Sequence, residues 1–403
     1  MGSALPTTGP EGSGRATVDV GALGLDRGAH LLIAAALDGL APGTPLEVRG
    51  QDPALAVHLA AWARVHGHPM VGGRITRGPV AGQRWSGSER AGSAQPGAVV
   101  DRASAGWGLA ARGALVEAGG PALATADLDR RSEMWTDIAP RLYAQAAAGQ
   151  WDPATAVDWS ARPDLPEAVE RAVVQVMTYL VENEQAALMV PARFLGRIHP
   201  HYHEAVGLLA VQLADEARHV EVFGRRARLS GGPLGVSAVA GRASLQTLLE
   251  EPEFAVASFL LSVLGEGTFL HLLSFLEVHA PDPVTARICR LALQDEARHV
   301  AFGLAHLEEQ LSVEPALRDR LRAAVERRHR VLERTAGLAD EVHDALVVLA
   351  AGAWTPEAIG AGWDRVQELQ AEMDTGRRRR LGRLGFSETE AAELSMLHTR
   401  NFM

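Results

Sequence analysis

The sequence predicts a mainly helical chain: a four-helix bundle with extra C-terminal helices, preceded by a small α/β domain of β-α-β-α order. Three observations predict it. The hexapeptide DEARHV occurs at Asp215–Val220 and again at Asp295–Val300, each time at the end of an apolar run. Each copy follows another apolar stretch of helical period that holds a glutamate, Glu184 before the first and Glu266 before the second. Strand-like and helical runs alternate over residues 16–75, whereas helical periodicity dominates from about residue 126.

Composition narrows the function classes. The chain has 403 residues, 47% of them apolar, enough for a sizeable core. Its net charge of −10 argues against nucleic acid or an anionic membrane surface as partner. The one cysteine, Cys289, leaves no internal disulfide, Cys-rich zinc site or iron–sulfur cluster, and reads as a core residue. All 39 basic residues are arginine, which removes a P-loop lysine, a Schiff-base lysine and a lysine general base. The richness in Ala, Arg and Gly matches a high-GC bacterial genome. The opening MGSALPTTGPEGSGR reads as a flexible tail over residues 1–15 rather than a signal peptide, and the cytoplasm is the expected location.

Along the chain, VDVGALGL is strand-like, Ala29–Leu40 helical, and PGTPLEV a turn followed by a strand. Asp52–Pro53 is an N-cap followed by proline, opening a helix through Val65 that stops at Gly67. The α/β domain is expected over 16–100, with its last strands after residue 76, GAVV among them, and a linker over 101–125. The helical domain spans 126–403. Apolar residues at helical spacing mark Leu165–Leu188, Ala205–Leu229, Phe254–Val278 and Val284–Leu311, with further helical regions at about 315–351 and 355–383. Phe254–Val278 is long enough to span a bilayer. Glu266 at its middle would cost about 3 kcal/mol there, so a buried helix is the better reading. RRRR at 377–380 reads as a solvated face.

The repeated motif carries the chemistry. Glu216 and His219 are three apart, as are Glu296 and His299, so each pair shares a helix face and can aim one carboxylate and one imidazole at a common point. Glu184 and Glu266 precede the two copies at similar intervals, and each has a leucine four residues on. Glu182 competes with Glu184, and the repeat alignment favours Glu184. A helix with one Glu, a return, then a helix with Glu-x-x-His is thus duplicated. Four carboxylates and two imidazoles on facing helices make a carboxylate-bridged dimetal site, with Glu184, Glu216, His219, Glu266, Glu296 and His299 as ligands. Oxygen-rich ligation with two nitrogens favours iron or manganese over zinc. Metal-bound histidines donate their second N–H to a carboxylate. Asp215 is placed to receive His299, and Asp295 to receive His219. Arg218 and Arg298 would pair with carboxylates on the outer side. The segment HPHYHE, with His199, His201 and His203, is rich in ligand types but falls in a return between helices.

The residues ENEQAAL, DEARH, GEGTFL and DEARH resemble the ferritin-like diiron-carboxylate superfamily over about residues 170–310. That superfamily includes ribonucleotide reductase small subunits, multicomponent monooxygenases, N-oxygenases and fatty-acid-type oxidases. The N-oxygenases add a histidine four residues before the last glutamate, where this chain has Ala292. The resemblance implies two iron ions, with manganese or a mixed pair as variants, O2 as co-substrate, a small organic substrate and an external electron donor. It assigns Glu184 and Glu266 a catalytic part beside their ligand role and allows a homodimer. Residues 16–75 resemble the TusA-like sulfur-carrier fold through LGLDRGAHLL, PGTPLEV and DPALAVHLAAWARVHGH. Arg27 and Gly28 stand where that family has Cys-Pro, so no persulfide chemistry carries over, and a structural or docking role is implied. The expected activity is oxygen-dependent oxidation of a small organic molecule by a diiron oxygenase or oxidase, in the setting of bacterial secondary metabolism. A ferroxidase or manganese-catalase-like protein and a non-catalytic scaffold are the alternatives.

Overall fold

A computed structural model describes residues 16–79, 85–95, 97–161, 163–333 and 340–398. The tail expected over 1–15 lies outside them. The chain divides into two compact units. Residues up to 91 together with 106–122 form the first, and 92–105 together with 123–403 the second. The sequence reading instead ran one domain to residue 100 and a linker to 125.

The first unit runs β1 (Ala16–Asp19), α1 (Ala29–Asp38), β2 (Pro45–Arg49), α2 (Leu55–Val65), β3 (Met70–Val71), β4 (Arg74–Thr76). The four strands form a sheet of order β1-β2-β4-β3, with β1 and β2 parallel and the other pairs antiparallel. Ala29, Ile33 and Leu37 of α1 and Leu55, Leu59 and Ala63 of α2 recur every four residues and close one core with Val20, Leu46 and Ile75. The β-α-β-α order holds. The closing strands, however, follow α2 at once and do not wait until after residue 76. Gly72 and Gly73, both at positive φ, supply the two-residue hairpin turn that joins β3 to β4. GAVV is not a strand; β5 (Glu89–Arg90) pairs instead with β6 (Leu115–Val116). Gly28 sits at φ 104, a left-handed conformation closed to proline, so the entry to α1 is built for glycine.

The second unit is helical. It begins with α3 (Arg131–Met134) and α4 (Ala139–Ala148), then α5 (Glu167–Leu195), α6 (His203–Ala227) and α7 (Val239–Leu249). A continuous helical run follows over Phe254–His279, made of α8 (Phe254–Ser258), a π-helical segment (Phe259–Glu266) and α9 (Gly267–His279). After α10 (Pro283–Val313) come α11 (Leu317–Leu332), α12 (Asp340–Ala351), α13 (Pro356–Arg383) and α14 (Glu388–His398). The bundle is formed by α5 against α6, the Phe254–His279 run against α10, and α10 against α6. Helix α4 lies on α6, α12 on α5, and α13 on both α12 and α9. Among the described residues, Phe254–His279 is the one unbroken helix long and apolar enough to cross a membrane; 78% of its apolar window is buried in the protein.

The helical region expected at about 315–351 holds α11 and α12. One expectation for the C-terminal part needs correction. The RRRR run is not a solvated face throughout: Arg377 and Arg380 are 2% and 9% exposed. They sit three apart on the side of α13 that packs on α9, so helical periodicity turns them inward while Arg379 stays outside.

Candidate metal centre

The four bundle helices each deliver ligand-type side chains to one buried point. Two overlapping groups form there, Glu184 with Glu216, His219 and Glu296, and Glu216 with Glu266, Glu296 and His299. Within each group one ligand atom per residue lies within 4.8 Å of all the others. Glu216 and Glu296 belong to both groups. His219 Nδ1 lies 3.5 Å from Glu184 Oε2, 3.1 Å from Glu216 Oε2 and 3.3 Å from Glu296 Oε1. His299 Nδ1 lies 3.0 Å from Glu216 Oε1 and 3.4 Å from Glu296 Oε2. The Glu-x-x-His spacing produces this directly, since both side chains leave the same helix face. Glu182 falls outside the cluster and is part-exposed, while Glu184 is buried.

The second histidine nitrogens are held in a crossed arrangement. His299 Nε2 meets Asp215 Oδ2 at 3.1 Å, and His219 Nε2 meets Asp295 Oδ2 at 3.3 Å. A carboxylate only accepts, so each Nε2 carries a proton, and Nδ1 is the nitrogen turned toward the cluster's carboxylates, the one a metal ion would take. Each aspartate is fixed in turn. Asp215 accepts from Gln150 Nε2 at 2.9 Å and from Arg218; Asp295 accepts from the Trp151 indole at 2.8 Å and from Arg298. Burial pushes the Asp295 carboxyl up, but hydrogen bonds from His219 and Trp151 and the Arg298 charge outweigh it and hold it at about 2. The Arg218 guanidinium lies over the Trp151 ring at 5.0 Å, and that ring stacks on His219. Gln150 and Trp151 were not found from sequence. They follow α4, far from either DEARHV copy, and the Gln-Trp pair in GQWDP carries no periodic signal.

The electrostatics show what the cluster lacks. Burial drives Glu184 and Glu266 well above the usual carboxylate range, and the neighbouring carboxylates add to it. Burial opposes charge on Glu216 as well, yet the His299 and His219 imidazoles hold it below the usual range. Both histidines are driven up by the surrounding carboxylates against the effect of burial. Glu184 Oε1, Glu266 Oε2 and both Glu296 oxygens are buried without a hydrogen-bond partner. Buried carboxylate oxygens are costly unless paired or metal-bound. Four carboxylates balance two divalent cations, so the donor set fits a metal pair in charge and in convergence.

The π segment places the fourth carboxylate. It ends at Glu266, with Gly265 and Gly267 on either side. Such segments interrupt the regular helix mostly at functional sites and change which way a side chain faces. Gln212 Nε2 donates to Glu266 Oε1 at 3.2 Å. The HPHYHE histidines do other work. His199 Nε2 lies 3.1 Å from the Ser104 carbonyl, its Nδ1 accepts from the His201 amide, and His201 Nε2 accepts from the Val100 amide. They pin the return segment. Cys289 is buried in the core.

Fold and site together define a four-helix-bundle protein with a buried carboxylate–histidine cluster built from a duplicated motif. No protein-family model matches the chain, and no curated protein matches it. Among solved structures, a Synechococcus protein with aldehyde deformylating oxidase activity shares 19% identity, covering 60% of this chain and 99% of its own, at a TM-score of 0.41. An R2-like ligand-binding oxidase from Sulfolobus acidocaldarius shares 17%, covering 59% and 90%, at 0.40. A further R2-like ligand-binding oxidase, with an aerobically reconstituted metal cofactor, shares 19%, covering 65% and 90%, at 0.39.

Proposed function

We propose that the protein is a non-haem dimetal oxidoreductase, an oxygenase or oxidase that uses O2 to oxidise a small organic substrate. The single observation behind this reading is the sharing of Glu216 and Glu296 between two four-residue groups, each completed by its own Glu and His. Glu184, Glu216, His219, Glu266, Glu296 and His299 would hold two iron ions, or manganese, or one of each. When bound, the pair supplies Lewis acidity and electrons for O2. The chain's own residues set the conditions for that chemistry. Asp215 and Asp295 fix the tautomer and ring angle of the histidines. Gln212 steadies Glu266, and Glu184 and Glu266, each belonging to one group only, would each help hold one ion. Leu209, Phe254, Leu261 and Phe302 line a narrow apolar cleft of about 20 Å³ with Gln212, the residue that donates to Glu266, and this packing leaves little room for water there. An external electron donor, a cytoplasmic setting and a role in bacterial secondary metabolism belong to the same reading. A homodimer is compatible with it.

The test is oxygen mixing with the anaerobically reduced, iron-loaded protein, followed by absorbance and oxygen uptake. The expected result is an oxygen-dependent spectral change whose decay is accelerated by the right organic substrate, with oxidised product formed. Continued iron uptake far beyond the cluster's capacity, without substrate oxidation, would instead identify an iron-storage protein.

A further inference from the structure

A cavity of about 670 Å³ lies between the first turns of α5, the end of α6 and the segment that follows α6. Leu165, Val174, Ala227, Leu234 and Val236 give it an apolar wall. The segment after α6 is pinned to α5 at two places. Near its start, Ser230 Oγ donates to Glu170 Oε1 at 2.8 Å. Further on, the Gly235 amide donates to Thr178 Oγ1 at 2.9 Å, and Gln175 accepts from the Val236 amide at 2.9 Å while donating to its carbonyl at 3.0 Å. A Cβ at Gly235 would fall 2.5 Å from Gln175 Oε1, so glycine is what lets the backbone come this close. Between the two anchors, Gly232, Pro233 and Leu234 line the cavity.

Glu170 gives the cavity its chemical character. Arg226 is fully buried and bonds both Glu170 and Asp282, so one guanidinium serves two carboxylates and the trio carries one net negative charge. The Asp282 side chain is 2% exposed, whereas that of Glu170 is 14% exposed and lies on the lining. A carboxylate offers about four acceptor positions, and Glu170 uses three, two on Arg226 and one on Ser230. The remaining position and the surplus charge both favour a cationic donor. Glu167 and Arg171, also on the lining, pair with each other at the exposed rim, and their charges cancel.

We propose that this cavity binds a primary amine with an apolar body, its ammonium on Glu170 and its carbon chain against Leu165, Val174 and Leu234. An ammonium is a compact charge with three donors, which suits one open carboxylate position beside the Ser230 hydroxyl oxygen. The apolar wall selects against a bare inorganic cation. The site stands apart from the metal centre and does not rest on the dimetal reading. Glu170 lies fourteen residues before Glu184 on α5, about 21 Å along the helix axis.

Calorimetric titration of the full-length protein as purified tests this at neutral pH, with hexylamine, 1-hexanol and sodium hexanoate as probes. Hexylamine, protonated at that pH, should bind at least about tenfold more tightly than either of the others, the range of one charge-assisted hydrogen bond. Glu170→Gln keeps the shape and removes the charge, and it should lower hexylamine affinity by about tenfold. Val174→Trp fills the apolar wall from a part-buried position and should abolish binding while leaving metal content unchanged. That second variant keeps the test decisive if Glu170→Gln does not fold. Absence of hexylamine binding, hexanol or hexanoate binding as tightly as hexylamine, or undiminished hexylamine binding by folded Glu170→Gln or by Val174→Trp would each overturn the proposal.

Discussion

The two copies of DEARHV occupy equivalent places on α6 and α10, but the helices that complete them differ. Glu184 rises from regular α-helix, and its Oε1 has no hydrogen-bond partner. Glu266 ends a π segment between two glycines, and Gln212 holds its Oε1. The starts of the motif helices differ as well. Asp282 caps α10 by accepting from the Thr285 amide at 2.9 Å, whereas α6 begins without a side-chain cap. Duplication thus explains the shared donor chemistry. The packing around each copy then makes the two halves of the centre unequal.

The largest break in this comparison comes from a shared ligand. Glu296→Ala should strip both halves of the centre, with activity falling by roughly 100-fold or more, whereas Glu184→Ala should spare the Glu266 half. Metal analysis and turnover on the two variants check this together. Equal loss in both would erase the distinction between shared and terminal carboxylates.

Next in size is a stability effect where α6 meets the start of α10. Arg226 is fully buried and bonds Glu170 at 2.8 and 2.9 Å and Asp282 at 2.9 Å. Asp282→Ala removes the α10 cap and part of the Arg226 pairing, so it should cost about 3–5 kcal/mol in denaturant unfolding. The pH dependence follows from Glu170. Burial pushes its carboxyl up, but Arg226 and Ser230 outweigh that and hold it below its usual 4.5. A carboxylate lowered on folding contributes stability that is complete above the unfolded value and is lost as pH falls through the folded one. Glu170→Gln should therefore flatten the acid side of the Tm–pH curve below about pH 4.5.

Smaller effects sharpen the comparison. Asp295→Asn and Asp215→Asn should each weaken metal binding by roughly 10- to 100-fold, as removal of a histidine-orienting carboxylate does elsewhere. An unchanged affinity in either would show that the crossed pairing does not support the ligand histidines. Gln212→Leu should act on the Glu266 half alone, at roughly 3- to 10-fold, the worth of one buried hydrogen bond. Competitive chelation that resolves two binding steps would detect it as a shift in one step only.

Much of the cluster was legible because the Glu-x-x-His spacing is local and its repeat is visible without any structure. The crossed Asp–His partners were legible for the same reason, each aspartate being adjacent in sequence to a glutamate of the cluster. Gln150 and Trp151 were not, because they reach the aspartates from the turn after α4, a long-range meeting with no periodic trace. The π segment was hidden too: Phe254–Val278 is apolar along most of its length apart from Glu266 near its middle, and an added residue per turn leaves that composition unchanged. Arg377 and Arg380 were misread because a run of four arginines looks solvated until the neighbouring helix is in place. In the α/β unit, Gly72-Gly73 was an available hairpin signal.

The central claim is that the duplicated motif builds one centre for two metal ions, and metal counting tests it most directly. Full-length protein is loaded anaerobically with ferrous iron, freed of excess metal and analysed by mass spectrometry of the dissolved metal against protein concentration. The account predicts two ions per chain, one for each group that shares Glu216 and Glu296. Saturation at one ion per chain, or no retained metal at all, would contradict it.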